Sequence, residues 1–165
     1  MYAQRISPRR PAIKITGEFR VTAPPQDVWK ILMDPDAICR LATSCEEARR
    51  VDDTHYEGTV RAKIGFAGIR ARIYGEVLEV YAPSGMVIQL HGETLGLPGT
   101  FQGRATLSMV AEGRDTHAHY SFDMDILGRL GTLGRPFFQM TAQHLANTFA
   151  GKMSAYLNTA QLDQT

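Results

Sequence analysis

The chain has 165 residues, enough for one domain with its own core but too few for two full domains. Its 18 basic and 17 acidic residues give a formal net charge of +1, so the charge balance does not favour nucleic acid as a partner. No apolar run approaches the roughly 20 residues of a membrane-spanning helix. We therefore expect a cytoplasmic protein whose membrane contact, if it has any, is peripheral and at the inner face.

The two cysteines, Cys39 and Cys45, are six positions apart and have no histidine at ligand spacing. This pattern predicts reduced thiols, and neither a zinc site nor a disulfide framework. Pro8, Pro11 and a group of arginines predict a flexible N-terminal arm over residues 1–12. We assign residues 13–160 to a single domain and residues 161–165 to a tail.

The first elements are a strand and two short helices. Alternating apolar residues from Ile13 to Val21 predict a half-buried strand. Pro24-Pro25 cannot continue that strand but suits the start of a helix. Asp34-Pro35 then predicts a second helix, because Asp is a preferred N-cap and Pro fits the first helical position.

A run of antiparallel strands follows from about residue 54. Tyr56, Val60, Ala62 and Ile64 share one face, with polar residues between them. A change of alternation after Gly75 predicts a bulge near that residue. Four more alternating segments follow at about 69–80, 86–90, 101–109 and 118–126, which makes six clear strands in all.

Residues 129–160 change to a helical period. Their apolar stripe consists of Phe138, Leu145, Phe149, Met153 and Tyr156. Pro136 leaves two alternatives open: the helix begins there after a glycine-containing turn, or a longer helix kinks. With one strand, two short helices, a strand run and one long helix, the chain belongs to the α+β class.

The spacing of the polar side chains in the sequence does not indicate a catalytic site or a metal site. His117, His119, Asp123 and Asp125 share one face of the last strand, but residues two apart on a strand are roughly 7 Å apart and point in parallel. We therefore expect a solvated face and no metal there. His91 is the histidine placed to line an interior.

The inward positions alternate between large and very small residues. Phe101 and Phe122, for example, are accompanied by Ala62, Gly103 and Ala105. Two alternatives stay open: the small residues leave an unfilled volume beneath the long helix, or the helix aromatics fill it.

Four segments in order resemble the G-subunit family of carbon monoxide dehydrogenase, within the helix-grip (START-like) superfamily that includes polyketide cyclases. They are "GEFRVTAPPQDVWKILMDPDAICRLATSCE", "YEGTVRAKIG", "FQGRATLSM" and "LGRLGTLGRPFFQMTAQHLANTFAGKM". The resemblance covers roughly residues 13–157. It implies a seven-stranded curved antiparallel sheet wrapped around a long C-terminal helix, with two short helices after the first strand. It also implies a strand at about Cys45–Val51, which the charges of "CEEARRV" hide from pattern reasoning.

The resemblance further implies a non-catalytic accessory protein of a molybdenum hydroxylase of the carbon monoxide dehydrogenase type. Partners would be that molybdenum-containing dehydrogenase, a membrane surface and a hydrophobic, quinone-like small molecule, with no intrinsic cofactor. The ligand would lie between the sheet and the C-terminal helix, and Tyr120 would offer the polar group that orients it. The expected cavity walls are Val60, Ala62, Ile64, Ile73, Phe101, Tyr120, Phe122, Met124, Phe138, Leu145 and Phe149.

Two other functions stay open. A cyclase-like or dehydratase-like enzyme would need His91 or Tyr120 facing the cavity beside a second titratable group. A docking protein would have a filled core.

Overall fold

A computed structural model of the chain describes residues 13–65, 67–96 and 98–163, with side chains described up to residue 159. The arm expected at residues 1–12 and the last two residues of the expected tail lie outside these ranges. Within them, seven strands and three α-helices confirm the α+β helix-grip fold. In chain order the elements are β1 Ile13–Val21, α1 Pro25–Leu32, α2 Pro35–Leu41, β2 Cys45–Arg50, β3 His55–Ile64, β4 Ala67–Tyr81, β5 Gly85–Leu95, β6 Gly99–Glu112, β7 Asp115–Gly128 and α3 Arg135–Asp163.

The strands form one antiparallel sheet in the order β1-β7-β6-β5-β4-β3-β2. β2 occupies the position that the family resemblance implied and pairs with β3. The register between β4 and β5 shifts between Val77 and Glu79, two residues beyond the expected bulge at Gly75. Because β1 and β2 are the two edge strands, each edge must be covered or blunted.

The two short helices form a structure that we call the helical corner (Pro25–Leu41). α1 begins on Pro25 and buries Val28 and Ile31. The Asp34 side chain accepts hydrogen bonds from the backbone N–H groups of Asp36 (3.0 Å) and Ala37 (3.4 Å). This confirms Asp34 as the N-cap of α2, so the break at Asp34-Pro35 is the start of a new helix.

The long helix α3 begins at Arg135, with Pro136 in its first turn, so the helix starts at the proline instead of kinking there. A 3-10 helix, Arg129–Leu133, leads into it through Gly134, whose φ of 88° favours glycine. The first of the two alternatives for Pro136 is therefore the one that the structure adopts.

α3 covers the free edge of β1 with polar side chains. Gln139 donates to the Thr16 carbonyl (2.5 Å) and accepts from the Thr16 N–H (3.3 Å). Gln143 donates to the Glu18 carbonyl (2.9 Å), and Ser154 accepts from the Thr22 N–H (2.9 Å). These contacts replace a neighbouring strand, so they both satisfy the sheet edge and fix the position of α3.

Among the described residues, two apolar clusters form the core. One packs the helical corner and the C-terminal half of α3 on the sheet, with Val21, Val28 and Met153 fully buried. The other lies beneath the N-terminal half of α3 and includes Tyr120 and Phe138.

The expectation of reduced cysteines is wrong for this structure. Cys39 on α2 and Cys45 at the start of β2 form a disulfide with a Cα–Cα distance of 5.1 Å. The chain reverses direction between α2 and β2, which brings the two sulfurs together, and sequence spacing did not reveal this turn. The described part of the chain has no helix with the length and apolar character needed to cross a membrane.

Candidate functional site

A cavity of about 370 Å³ lies between the helical corner and the inner face of β3, β4 and β5. We call it the corner cavity. The sheet supplies aliphatic walls, among them Val60, Ile73 and Ile88, and the corner supplies Leu32 and Ile38. The remaining lining residues are Met33, Pro35, Ala42, Ser44, Cys45, Glu47, Ala48, Arg49, Tyr56, Glu57, Gly58, Gly75, Val77, Met86 and Leu90.

Two glycines contribute to the sheet wall of this cavity. Gly75 lies opposite Tyr56 in the sheet, and Gly58 lies opposite Ile73. A Cβ atom at Gly75 would lie 3.3 Å from a methyl carbon of Leu90, tighter than ordinary contact. A Cβ atom at Gly58 would lie 2.7 Å from the Glu47 carbonyl oxygen, so this glycine allows β2 to approach closely. Gly75 leaves the inner face of the sheet shallow beneath the corner.

Polar groups gather at the rim of the cavity beside β2. Arg49 donates to Glu57 (Nε to Oε1, 2.6 Å), and the Arg50 guanidinium lies over the Tyr56 ring, 5.4 Å from its centroid. Arg50 also donates to the Met33 carbonyl at the end of α1 (3.1 Å). These contacts and the nearby disulfide tie the corner to β2 and hold the rim in place.

The structure separates the residues that the sequence placed in one cavity. Val60 and Ile73 line the corner cavity, whereas Ala62 and Leu145 line a different groove of about 780 Å³ between β3 and α3. Met124, on β7 opposite Gly103, lies outside the corner cavity. The other six predicted cavity residues belong to the packed apolar clusters. Ile64, Phe101, Tyr120, Phe122 and Phe138 lie under the start of α3, and Phe149 lies nearer its C-terminus.

Tyr120 belongs to the filled part of the interior. Its ring contacts Phe19 and Phe122, with centroid distances of 6.4 and 5.6 Å, and its hydroxyl donates to Gln143 Oε1 (3.3 Å). Burial raises the pKa of the Tyr120 hydroxyl above its usual value. Aromatic side chains thus fill the part of the interior around Tyr120 and Phe138, whereas the corner cavity and the groove between β3 and α3 are open. Tyr120 lines neither of these two volumes.

The histidines also lie away from the corner cavity. His91 is exposed on the outer face of the sheet, where its ring stacks on Tyr74 at a centroid distance of 4.9 Å. The idea that His91 lines the interior is therefore wrong. His144 is exposed and lines the groove beside α3. None of the described residues that line the corner cavity is a histidine.

The hydrophobic periodicity of the sequence did not identify many of the residues that line the corner cavity. Met86, Ile88 and Leu90 alternate cleanly, so the sequence places them on one inward face. Periodicity does not assign them to a cavity, because it makes the long helix α3 the element that covers the sheet. The short helical corner covers them instead.

The seven-stranded antiparallel sheet, the two short helices and the long C-terminal helix define a START-like helix-grip fold. Similar solved structures include a START superfamily protein from Mycobacterium smegmatis, with a TM-score of 0.67 and 15% identity over 87% of this chain and 98% of that one. A conserved protein from Geobacillus kaustophilus has a TM-score of 0.78 and 17% identity over 89% and 96%. At these identities the likeness establishes the fold.

The sequence itself narrows the class to one family. The family model described as the G subunit of carbon monoxide dehydrogenase (CoxG) matches residues 17–158. The chain therefore belongs to the CoxG family. A search of curated proteins by sequence found no match.

Proposed function

We propose that this protein is a non-catalytic accessory protein of a molybdenum-containing dehydrogenase and that it binds a hydrophobic, quinone-like molecule in the corner cavity. The observation that carries the proposal is the apolar cavity of about 370 Å³ beneath the helical corner. Family membership supports the accessory role, because the family is described as a subunit of carbon monoxide dehydrogenase.

The volume and walls of the cavity suit a small apolar ligand. Ligand sites typically measure about 300–1,000 Å³ and combine apolar walls with a few polar groups. Here the walls are mostly aliphatic, and Tyr56, Ser44 and the Arg49–Glu57 pair supply polar groups at the rim. Each 100 Å² of apolar ligand surface removed from water would contribute roughly 2.5 kcal/mol, at about 25 cal/mol per Å².

The fluorescence of Trp29, the chain's single tryptophan, provides a binding assay. Trp29 is half-buried on α1, one arm of the corner that covers the cavity. Quinones quench indole fluorescence, so titration with menadione should give saturable quenching at one molecule per chain. Val60→Phe places a larger side chain in the cavity and should weaken menadione binding by at least about tenfold, equivalent to about 1.4 kcal/mol.

Val110→Phe is the matched control, because Val110 is 55% exposed on β6 and far from the cavity lining. This control should bind menadione as the unaltered protein does. Equal binding by Val60→Phe and Val110→Phe would refute the corner cavity as the site. Non-saturable quenching would refute specific binding.

The groove beside α3 is the proposed contact for the partner dehydrogenase. Phe137 and Met140 line this groove and are 41% and 66% exposed, with Lys63 and His144 beside them. Serine at both apolar positions should reduce co-purification with the dehydrogenase and leave menadione quenching unchanged. We also propose that any membrane contact is peripheral.

The two alternatives receive less support. A cyclase-like enzyme needed His91 or Tyr120 at the cavity, and neither residue lies there. A docking protein with a filled core is disfavoured by the open volume beneath the corner.

A further inference from the structure

Three potential metal ligands meet on the outer face of the sheet, away from the corner cavity. They are Glu18 on β1 and His117 and His119 on β7. One ligand atom from each residue lies within 4.8 Å of the other two. Two imidazoles and a carboxylate are a donor set typical of zinc and related divalent transition metals.

The register of the sheet explains why the three groups meet. Glu18 pairs directly with His119 across β1 and β7, and His117 lies two residues before His119 on the same face. The planes of the two rings are inclined at 49° to each other, and their centroids are 4.4 Å apart, closer than the roughly 7 Å between residues two apart on a strand. The expectation that these histidines only point in parallel is therefore wrong. Asp123 does not join them and instead pairs with Lys14 (3.4 Å).

His117 is already oriented as a ligand would be. Its Nδ1 faces Glu112 Oε2 at 3.3 Å, and its Nε2 faces Glu18 Oε1 at 2.6 Å. A carboxylate that accepts the Nδ1–H of a histidine fixes the tautomer and leaves Nε2 available to a metal. Arg20 forms an ion pair with Glu112. This ion pair holds the Glu112 carboxylate in position and offsets the arginine charge near the site.

Only small movements would convert the cluster into a metal site. Metal bonds of about 2.1 Å in a tetrahedral site place neighbouring ligand atoms about 3.4 Å apart. Glu18 has a 60% exposed side chain and can move outward from His117, which is 13% exposed and held in place. Glu18 and His119 also border a surface groove that contains Thr106 and Ser108, where water can complete the coordination.

We propose that Glu18, His117 and His119 bind a divalent transition metal ion of the zinc class, with Glu112 orienting His117. The site joins the edge strand β1 to β7 and is independent of the ligand in the corner cavity. Without a metal, the same side chains form a hydrogen-bonded ion-pair network, and metal binding would replace its central contact.

Calorimetric titration of the full, tag-free, metal-stripped chain with zinc chloride at pH 7.5 tests the proposal. We expect one zinc ion per chain and a higher unfolding temperature in its presence. His117→Gln, His119→Gln and Glu18→Gln should each weaken binding at least about tenfold, and Glu112→Gln by roughly 10–100-fold without changing the stoichiometry.

His55→Gln is the matched control, because His55 is another exposed histidine hydrogen-bonded to a carboxylate, that of Asp52 (2.8 Å). This variant should bind zinc as the unaltered chain does. Circular dichroism of each metal-free variant checks folding, and NMR of the unaltered chain should show zinc perturbing the ring nitrogens of His117 and His119. No binding, binding unaffected by His119→Gln, or binding abolished by His55→Gln would overturn the proposal.

Discussion

Gly17→Ala is a sharp test of how tightly α3 is seated on β1. A Cβ atom at Gly17 would lie 2.2 Å from the Tyr120 hydroxyl oxygen, 2.3 Å from Tyr120 Cζ and 2.5 Å from Gln143 Oε1. Gly17 and Tyr120 are direct partners across β1 and β7. An added methyl group must therefore displace a buried ring whose neighbours are Phe19 and Phe122.

Three effects determine the expected change in the free energy of unfolding caused by Gly17→Ala. Overpacking a core costs about 1–3 kcal/mol, and loss of the Tyr120–Gln143 hydrogen bond costs about 1 kcal/mol. Replacing a strand glycine by alanine returns about 0.5–1 kcal/mol. The net expectation is a destabilisation of about 1–3 kcal/mol. For a chain of this length, that lowers the unfolding temperature by about 3–9 °C.

Urea unfolding of a double-mutant cycle measures the clash directly. In a Tyr120→Phe background, Cζ remains, so Gly17→Ala should still destabilise. In a Tyr120→Leu background, Cζ and the hydroxyl are gone, so Gly17→Ala should be neutral or stabilising. Gly68→Ala is the matched control, because a Cβ atom there would meet nothing within 4 Å.

Two results would refute this reasoning. One is a neutral Gly17→Ala in the unaltered protein, which would mean that the ring has room to move. The other is an equal cost of Gly17→Ala with tyrosine and with leucine at position 120, which would place the strain elsewhere.

Three further predictions concern the helical corner and the β2–β3 turn. Asp34→Ala removes the N-cap of α2 and should lower the free energy of unfolding, measured with urea, by about 1 kcal/mol. Asp34→Asn keeps a capping side chain and should unfold at nearly the same urea concentration as the unaltered protein. The hydrogen bond that the protonated His55 ring donates to Asp52 raises the pKa of His55 above 6.5, so this contribution to stability is complete below pH 6.5 and is lost as the pH rises through the folded-state pKa. NMR titration should show this raised pKa, and Asp52→Asn should return it toward 6.5. Replacing Cys39 and Cys45 by serine should cost roughly 2 kcal/mol for so short a loop, and reductant should destabilise the unaltered protein by the same amount.

Much of the fold was predictable because its signals are local. One buried face per strand gives clean alternation, and the Asp34-Pro35 pair has the chemistry of a helix start. β2 lacked such a signal because four of its six residues are exposed and it lies at the sheet edge. Only the family resemblance supplied that strand.

The candidate sites depend on contacts between distant parts of the chain. The position of α3 follows from Gln139 and Gln143 pairing with the edge of β1, more than 120 residues away. The proposed metal site likewise requires Glu18 from β1 beside His119 on β7. Periodicity assigns a residue to a face but does not say which element covers that face or which strand lies beside it.

The distribution of side-chain size along the sheet explains where the open volume falls. Phe101, Tyr120 and Phe122 belong to the cluster under the first half of α3, where Phe138 from the helix joins them. Beneath the helical corner, Gly58 and Gly75 stand among aliphatic residues, and the corner projects no aromatic side chain into the cavity. Within the corner, α1 packs on β6 and β7, whereas α2 packs on β2 at the opposite edge of the sheet from β1. Large side chains therefore fill the interior around Phe138, and the same sheet leaves an open volume beneath the short helices.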